Sequence, residues 1–407
     1  MFKVIFSRRM FVSFVMGFAC GLPLLLTSTV LQAWMKEEGV DLTMIGLMAL
    51  VGLPYTLKFL WAPFLDRFTL SLLGRRRGWL LIAQIGLVFS IAGLGFTHPA
   101  QNPVVMVIAA LLLTFCSASQ DIVVDAYRRE DLADEELGLG SSFYINGYRV
   151  GMLLASGGGL ILADHLPFTL VYLVMAACML PGIITTLLTP EPVISEGTPK
   201  TLRGAIIEPL VEYFSREKAV LILAFILLYK IGDTMASAIT TPFYLDIGFS
   251  KTEIGAVVKL FGFWATIAGS LIGGVLMLRI GINRSLWIFG FLQAISTTGF
   301  ALLAHIGYSV PVLSGVIAFE NLTGGMGTAA YAAFMGSITN KKFTATQYAL
   351  LSSLMGVPRV LAAAPTGFLA KHMGWESFFV FCVIIAIPGM LLLLKFAPWN
   401  PATIKKV

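Results

Sequence analysis

The chain has 407 residues, of which 57% are hydrophobic and only 12% charged, against about a quarter charged in an average soluble domain. With a mean hydropathy of +0.86, this composition excludes a water-soluble enzyme or a disordered segment and makes the chain a polytopic membrane protein. The net charge of +6 comes without basic–aromatic interleaving, so it points to basic cytoplasmic loops and no nucleic-acid partner.

Crossing about 30 Å of hydrocarbon takes roughly 20 apolar residues. Twelve such runs lie near 10–35, 42–63, 79–97, 104–127, 139–164, 168–189, 219–245, 252–278, 285–304, 309–338, 345–370 and 375–397. They are too long for barrel strands, and a backbone in lipid must satisfy its own hydrogen bonds, so they are helices. The first has a basic lead (Lys3, Arg8, Arg9) and no small-residue cleavage site, and reads as a retained span rather than a signal peptide. With the N-terminus inside, 20 Lys and Arg residues fall in cytoplasmic segments and three (Lys36, Lys251, Lys371) outside. That asymmetry predicts both termini in the cytoplasm.

Along the spans, ionisable residues stand where insertion costs about 2.5–3.5 kcal/mol each. The acids are Asp121, Asp125, Asp233 and Glu320; the bases are Lys58, Arg149, Lys230, Lys259 and Arg359. In the fourth span, "FCSASQDIVVDAY" sets Ser117, Asp121 and Asp125 four residues apart on one face, the acids about 6 Å apart along the axis. Two carboxylates that close in low dielectric cannot both ionise cheaply, so the pair is a candidate proton carrier. The alternative for Asp125, followed by Arg128 and Arg129, is an interfacial ion pair. In the seventh span, "YKIGDTMASAITT" lines up Lys230, Asp233, Ser237 and Thr241 as one polar stripe in which Lys230 and Asp233 can bridge. Such a pair is either a structural salt bridge or one that a charged substrate opens. In the tenth span, "FENLTGGMGT" places Glu320 and Asn321 before a glycine-rich stretch expected to unwind locally. Arg149 and Arg359 hold matching positions in two halves and fit a structural role better than contact with an asymmetric substrate.

Other chemistries find no support. There is no G-x-x-x-x-G-K-[ST] phosphate loop. His98, His165, His305 and His372 fall at outer loops or helix ends, and no His–Asp–Ser cluster suggests an enzyme. Cys20, Cys116, Cys178 and Cys382 lack metal-ligand spacing and read as core filler. No cofactor or metal is implied.

The chain also repeats itself. "GVDLTMIG" (39–46) returns as "GFSKTEIG" (248–255), "YRVGMLLASGG" (148–158) as "PRVLAAAPTGF" (358–368), and "LPGIITTLL" (180–188) as "IPGMLLLLK" (387–395), in the same order at nearly one offset. The reading is an N-terminal six-helix bundle (1–189), a cytoplasmic linker (190–218) and a C-terminal six-helix bundle (219–407). Within the linker, Leu202, Ile206, Leu210 and Phe214 suggest a surface helix kinked near Pro209. The pairs Gly17/Gly21, Gly147/Gly151 and Gly269/Gly273 have the spacing for close helix packing.

Two parallel six-helix halves with such a linker resemble the major facilitator superfamily. The resemblance implies an all-α fold of twelve transmembrane helices in two six-helix bundles around a central cavity. "DRFTLSLLGRRRG" (66–78) is similar to the superfamily's acidic-plus-basic signature between helices 2 and 3, with longer spacing; its residues are Asp66, Arg67, Arg75, Arg76 and Arg77. A solvated loop that merely sets topology is the other reading of it.

More specifically, "GLPLLLTSTVLQAWM", "KFLWAPFLDRF", "GRRRGWLL", "FCSASQDIVVDA", "LLYKIGDTMA", "FENLTGGMGT" and "FTATQYALLS" resemble the AmpG-type muropeptide permeases of Gram-negative bacteria over nearly the whole chain. That resemblance implies a monomeric, proton-coupled symporter of the inner membrane. It would import N-acetylglucosamine-1,6-anhydro-N-acetylmuramic acid, with or without peptide, for cell-wall recycling and β-lactamase induction. Longer family members continue into two further helices, whereas this chain ends after its twelfth span. A glycopeptide calls for cations, amides and aromatic platforms. Lys58, Lys230 and Lys259, the amides of Gln32, Gln120, Asn146 and Asn321, and Trp34, Tyr55, Tyr144, Tyr148 and Trp264 are the candidates for substrate binding. A carrier for another bulky anion, such as acetyl-CoA or a siderophore, and a non-transporting membrane receptor are the competing functions.

Overall fold

The computed structural model describes residues 2–40, 44, 48–70, 73–192, 201–250, 253–362 and 365–399; the side chains of 2, 3, 49, 202, 203 and 359–361 lie outside the description. Most of the first repeat motif, Lys251 of the second, and the side chain of Arg359 are therefore not described. Among the described residues the structure is helical, with one isolated bridge between Leu70 and Gly74.

Among the described residues, helical segments follow in order at Arg8–Glu37, 48–67, Arg75–Gly95, Pro103–Asp131, 137–163, Phe168–Leu188, Ala219–Ile247, Ile254–Ile306, Val310–Ser337, Thr344–Leu361 with Thr366–Met373, and Trp375–Phe396. Gly281, at φ 77° and ψ 167°, divides Ile254–Ile306 into the eighth and ninth spans, which brings the count to twelve. Leu202–Phe214 forms the linker helix and runs through Pro209. Ala205, Pro209 and Tyr213 are buried along one side of it, while Ile206, Leu210 and Phe214 are exposed along the next. That exposed apolar row suits a helix lying at a membrane surface.

The spans are not uniform rods. The first changes to a π-turn at Leu26–Val30, the fifth at Leu154–Gly158 and the eighth begins as one at Ile254–Phe261. The seventh breaks at Lys230 (φ −108°, ψ 13°) and again at Ile239 (φ −125°, ψ 11°). The polar stripe expected of an unbroken seventh helix is therefore interrupted, and Ser237 and Thr241 end exposed. Before the eighth span, Ser250 and Glu253 form a reciprocal capping box. The Tyr308 hydroxyl donates to Glu253 at 2.6 Å and, with the bonds from Ser250, holds that carboxyl below its ordinary range.

By packing, the chain divides into two compact units. One comprises Met1–Asp134, Phe143–Val211 and Ile338–Ser353; the other comprises Glu135–Ser142, Glu212–Ser337 and Leu354–Val407. In the first, an apolar core gathers Leu22, Leu26, Leu94, Met106, Phe168 and Tyr172. In the second, Phe243, Phe300, Phe378 and Phe379 interlock edge-to-face and tilted.

Glycine sets the helix spacing in both units. A Cβ on Gly17 or Gly21 would run into the backbone of Tyr144 or Tyr148, and one on Gly147 or Gly151 into that of Phe14 or Phe18. The first and fifth spans thus meet backbone to backbone through four glycines. Gly269 and Gly273 do the same against Leu322 and Met326 of the tenth span, where Gly325 returns the contact onto Thr266 and Ser270. The repeat is visible here too: Gly182 of the first Pro-Gly lies on Ala19, and Gly389 of the second lies on Leu228 and Tyr229.

Charge holds the segment Ile338–Ser353 onto its unit. Asp66, fully buried, accepts from the backbone N–H groups of Ala345 (3.3 Å) and Thr346 (2.8 Å) and from the Thr346 hydroxyl (2.7 Å), capping the helix Thr344–Leu361. Arg76 donates to Asp66 at 2.8 Å and to Glu130 at 2.6 Å, and Arg75 donates to Glu130 at 2.8 Å. Glu191 accepts from the backbone N–H groups of Arg76 and Arg77, while the Arg77 guanidinium donates to the Thr186 and Leu187 carbonyls. Arg67 lies over the Phe68 ring at 5.5 Å. Asp66, Arg75 and Arg76 are all buried, which a merely solvated loop does not require.

Two stability outcomes follow from this packing. Gly147→Leu forces a side chain into the Phe14 carbonyl and is expected to cost about 3 kcal/mol or more, read as a lowered Tm in detergent. The control Gly93→Ala, whose Cβ meets nothing within 4 Å, should leave Tm equal or slightly raised. Asp66→Ala leaves Arg76 short of a partner and uncaps Thr344–Leu361, an expected loss of about 3 kcal/mol by the same measurement; an unchanged Tm would show that the network is ornamental.

Candidate functional site

Each unit contains its own buried polar cluster. In the first, the fourth span carries Ser117, Gln120, Asp121 and Asp125, every one of them buried. The two acids share a face, as their spacing predicts, but their surroundings differ. Asp125 is flanked by two cations: Lys58 Nζ at 4.0 Å and Arg128 Nη2 at 3.2 Å. Arg128 also donates to the Tyr348 hydroxyl at 2.8 Å and lies over the Tyr144 ring at 4.6 Å. The local ion pair weighed for Asp125 is thus formed. Among the described residues no cation comes within ion-pair distance of Asp121, and its Oδ1 has no hydrogen-bond partner in the protein. Its polar neighbours are the Cys20 thiol, Lys58 and Asp125.

Beside Asp121 stand other buried polar atoms without a hydrogen-bond partner, the hydroxyls of Tyr55 and Ser117 and Oε1 of Gln120, and on the fifth span both amide atoms of Asn146 lack one too. Tyr55 neighbours Ser117 and Asp121, and Tyr144 neighbours Cys20, both aspartates and Tyr148. Gln120 Nε2 donates to the Ala19 carbonyl at 2.8 Å, tying the fourth span to the first. Buried polar groups normally pair; a set of hydroxyl, amide and carboxylate atoms left unpaired on three helices can accept and donate to a polar guest. Cys20, read from sequence as filler, sits within this set. Arg149 lies part-buried on the fifth span, one residue past Tyr148.

In the second unit, Lys230 and Asp233 bridge at 3.4 Å across the break in the seventh span. Lys230 also donates to the Thr328 hydroxyl at 2.8 Å. Glu320 accepts from Ser296 at 2.5 Å and has Asp233 as its acidic neighbour. Thr323 donates to the same Ser296 at 2.9 Å. A base, two acids and three hydroxyls thus converge from the seventh, ninth and tenth spans.

Several other expected residues stand apart from both clusters. Trp34 is buried in the apolar core, stacked on Phe168 at 5.3 Å with its indole N–H donating to Glu38, so it offers no open ring face. Asn321 accepts from Thr266 at 2.8 Å and donates to the Ile317 carbonyl at 3.0 Å; its amide ties the tenth span to the eighth. Gln32, Lys259 and Trp264 are exposed. The glycine-rich stretch after Glu320 does not unwind: Val310–Ser337 is one continuous helix, with Gly325 packed on Thr266 and Ser270 of the eighth span and Gly327 against Gln293 of the ninth. Ser296, Thr323 and Thr328 went unnoticed in the sequence, because lone hydroxyls in apolar runs carry no signal of their own.

Comparison with known proteins places these clusters in context. The Major Facilitator Superfamily family model matches residues 9–363 and 227–406. The anhydromuropeptide permease of Escherichia coli K12 is 46% identical over 96% of this chain and 80% of its own length. An uncharacterized protein of Haemophilus influenzae is 42% identical over 97% of this chain and 96% of its own. In fold, the solved proton:xylose symporter XylE superposes with a TM-score of 0.73 at 13% identity, covering 97% of this chain and 96% of that one. An all-helical chain with repeated halves, intramembrane charges and matches of this extent belongs to the Major Facilitator Superfamily: it is an integral membrane transporter and not an enzyme.

Proposed function

We propose that this chain is a proton-coupled importer of anhydromuropeptides, the disaccharide N-acetylglucosamine-1,6-anhydro-N-acetylmuramic acid with or without its peptide. On this reading it works as a monomer in the inner membrane of a Gram-negative bacterium, with both termini cytoplasmic, and returns cell-wall fragments for reuse. The observation that carries the substrate class is 46% identity to an anhydromuropeptide permease across nearly the whole chain. The site chemistry supports it. The hydroxyls of Tyr55 and Ser117, the Gln120 Oε1 and the Asn146 amide suit sugar hydroxyls and acetamido groups. Lys230, held only by Asp233 and a threonine, suits a carboxylate that displaces Asp233.

Asp121 is the acid we assign to the travelling proton. It is buried, lacks a paired cation and neighbours the unpaired polar set. Asp125, held between Lys58 and Arg128, is the fixed charge beside it. Asp233 and Glu320 form the second acidic group, its bridge to Lys230 opened when the substrate engages that lysine.

The driving force bounds the stoichiometry. One proton entering down 100 mV supplies about 2.3 kcal/mol, enough for roughly 50-fold accumulation of a neutral substrate, and each unit of inward acid gradient adds about a further tenfold. Each negative charge on the cargo cancels one charge of that drive, so peptide-bearing substrates need additional protons.

Uptake of the labelled disaccharide into reconstituted vesicles is therefore expected to rise as the outside is acidified and to collapse with an uncoupler. Uptake indifferent to the uncoupler removes the coupling, and competition by acetyl-CoA or a siderophore without competition by the anhydro-disaccharide removes the substrate. Asp121→Asn should abolish uphill uptake while leaving exchange of preloaded substrate within about twofold; if uphill uptake survives, the proton resides elsewhere.

A further inference from the structure

We infer that the groove between the ninth and twelfth spans is a binding site for one anionic phospholipid of the surrounding membrane. The groove encloses about 600 Å³, and its walls include Trp287, Phe291 and Ile295 on one side and Val383, Ile387 and Met390 on the other. No charged side chain lines it. From Trp287 to Thr298 the wall rises about 16 Å at helical pitch, the depth of one leaflet of a bilayer whose hydrocarbon is about 30 Å thick. A channel of that length and apolarity fits a single extended acyl chain.

One end of the groove differs from the rest. There the indole of Trp287 donates to the Ala397 carbonyl at 2.9 Å, and Trp399 closes the mouth beside it. Arg284, one turn before Trp287, donates to the Trp399 carbonyl at 3.1 Å, its guanidinium 5.9 Å from that ring. Lys395, exposed in the last turn of the twelfth span, adds a second positive charge, and Lys218 donates to its carbonyl at 2.6 Å. Two indoles with two or three cations at the end of an apolar channel reproduce the order of a phospholipid from chain to glycerol to phosphate. A second copy of the chain would find no complementary acids in the groove's lining. Ala294, Val383, Ala386 and Met390 also border the small recess that holds Asp233 and Gln293, so the acyl chain lies one side chain away from the polar cluster of this unit.

The test uses the full chain purified in mild detergent. Native mass spectrometry during titration with phosphatidylglycerol and phosphatidylcholine of equal chain length is expected to show one phosphatidylglycerol retained about 10-fold more tightly than phosphatidylcholine. The variant Arg284→Gln with Lys395→Gln should erase that preference at unchanged Tm. In vesicles, phosphatidylglycerol with brominated acyl chains should quench the wild-type tryptophan emission, and Trp287→Phe should remove the larger part of the quenching. Equal retention of the two lipids, a preference that survives the double variant, quenching unaffected by Trp287→Phe, or a dimer cross-linked through Phe291 or Ile387 with no lipid retained would each overturn the assignment.

Discussion

A bilayer interior supplies no hydrogen-bond partner, and that single fact governs how this chain is built. Within a span the backbone amides are satisfied along their own helix, which leaves helix surfaces to carry association. Lipid tails are as apolar as leucine, so association cannot come from hiding oil from water. It comes from contact close enough to be specific, and in this protein glycine supplies that contact: the first span meets the fifth, and the eighth meets the tenth, with backbone against backbone.

The same constraint explains where charge resides. The Asp66–Arg76–Glu130 network is buried, and each charge in it is answered by another or by a helix end. The clusters deeper in the units are different because they are incompletely answered. Asp121 keeps a carboxylate oxygen without a partner, and Lys230 shares its charge between Asp233 and the Thr328 hydroxyl. A buried charge answered by a countercharge is held in place, whereas a carboxylate oxygen left without a partner keeps room for a proton or a ligand.

Particular elements show how much was legible beforehand. The glycine pairs were readable because four-residue spacing repeats on one helix face. The Asp121 and Asp125 pair was readable for the same reason, although the cations that make the two acids unequal, Lys58 on the second span and Arg128 a turn later, are chosen by packing. The seventh span misled because periodicity assumes an unbroken helix, and Lys230 and Ile239 break it. The glycines after Glu320 misled in the opposite sense: they suggested unwinding, whereas close approach of the eighth and ninth spans uses the missing side chains. Trp34 and Asn321 looked like ligand groups and are spent on a ring stack and an interhelical hydrogen bond.

By itself the sequence determined the solvent, the helical class, the internal repeat and the identity of the charges that hydrocarbon would not tolerate, because those properties are sums or periods along the chain. Which charges are paired, which hydroxyls join them, and which glycines stand for packing rather than flexibility was decided only by the tertiary structure. The reason is that an ion pair or a helix crossing depends on distance between residues as remote as 66 and 346, and no local pattern encodes that distance.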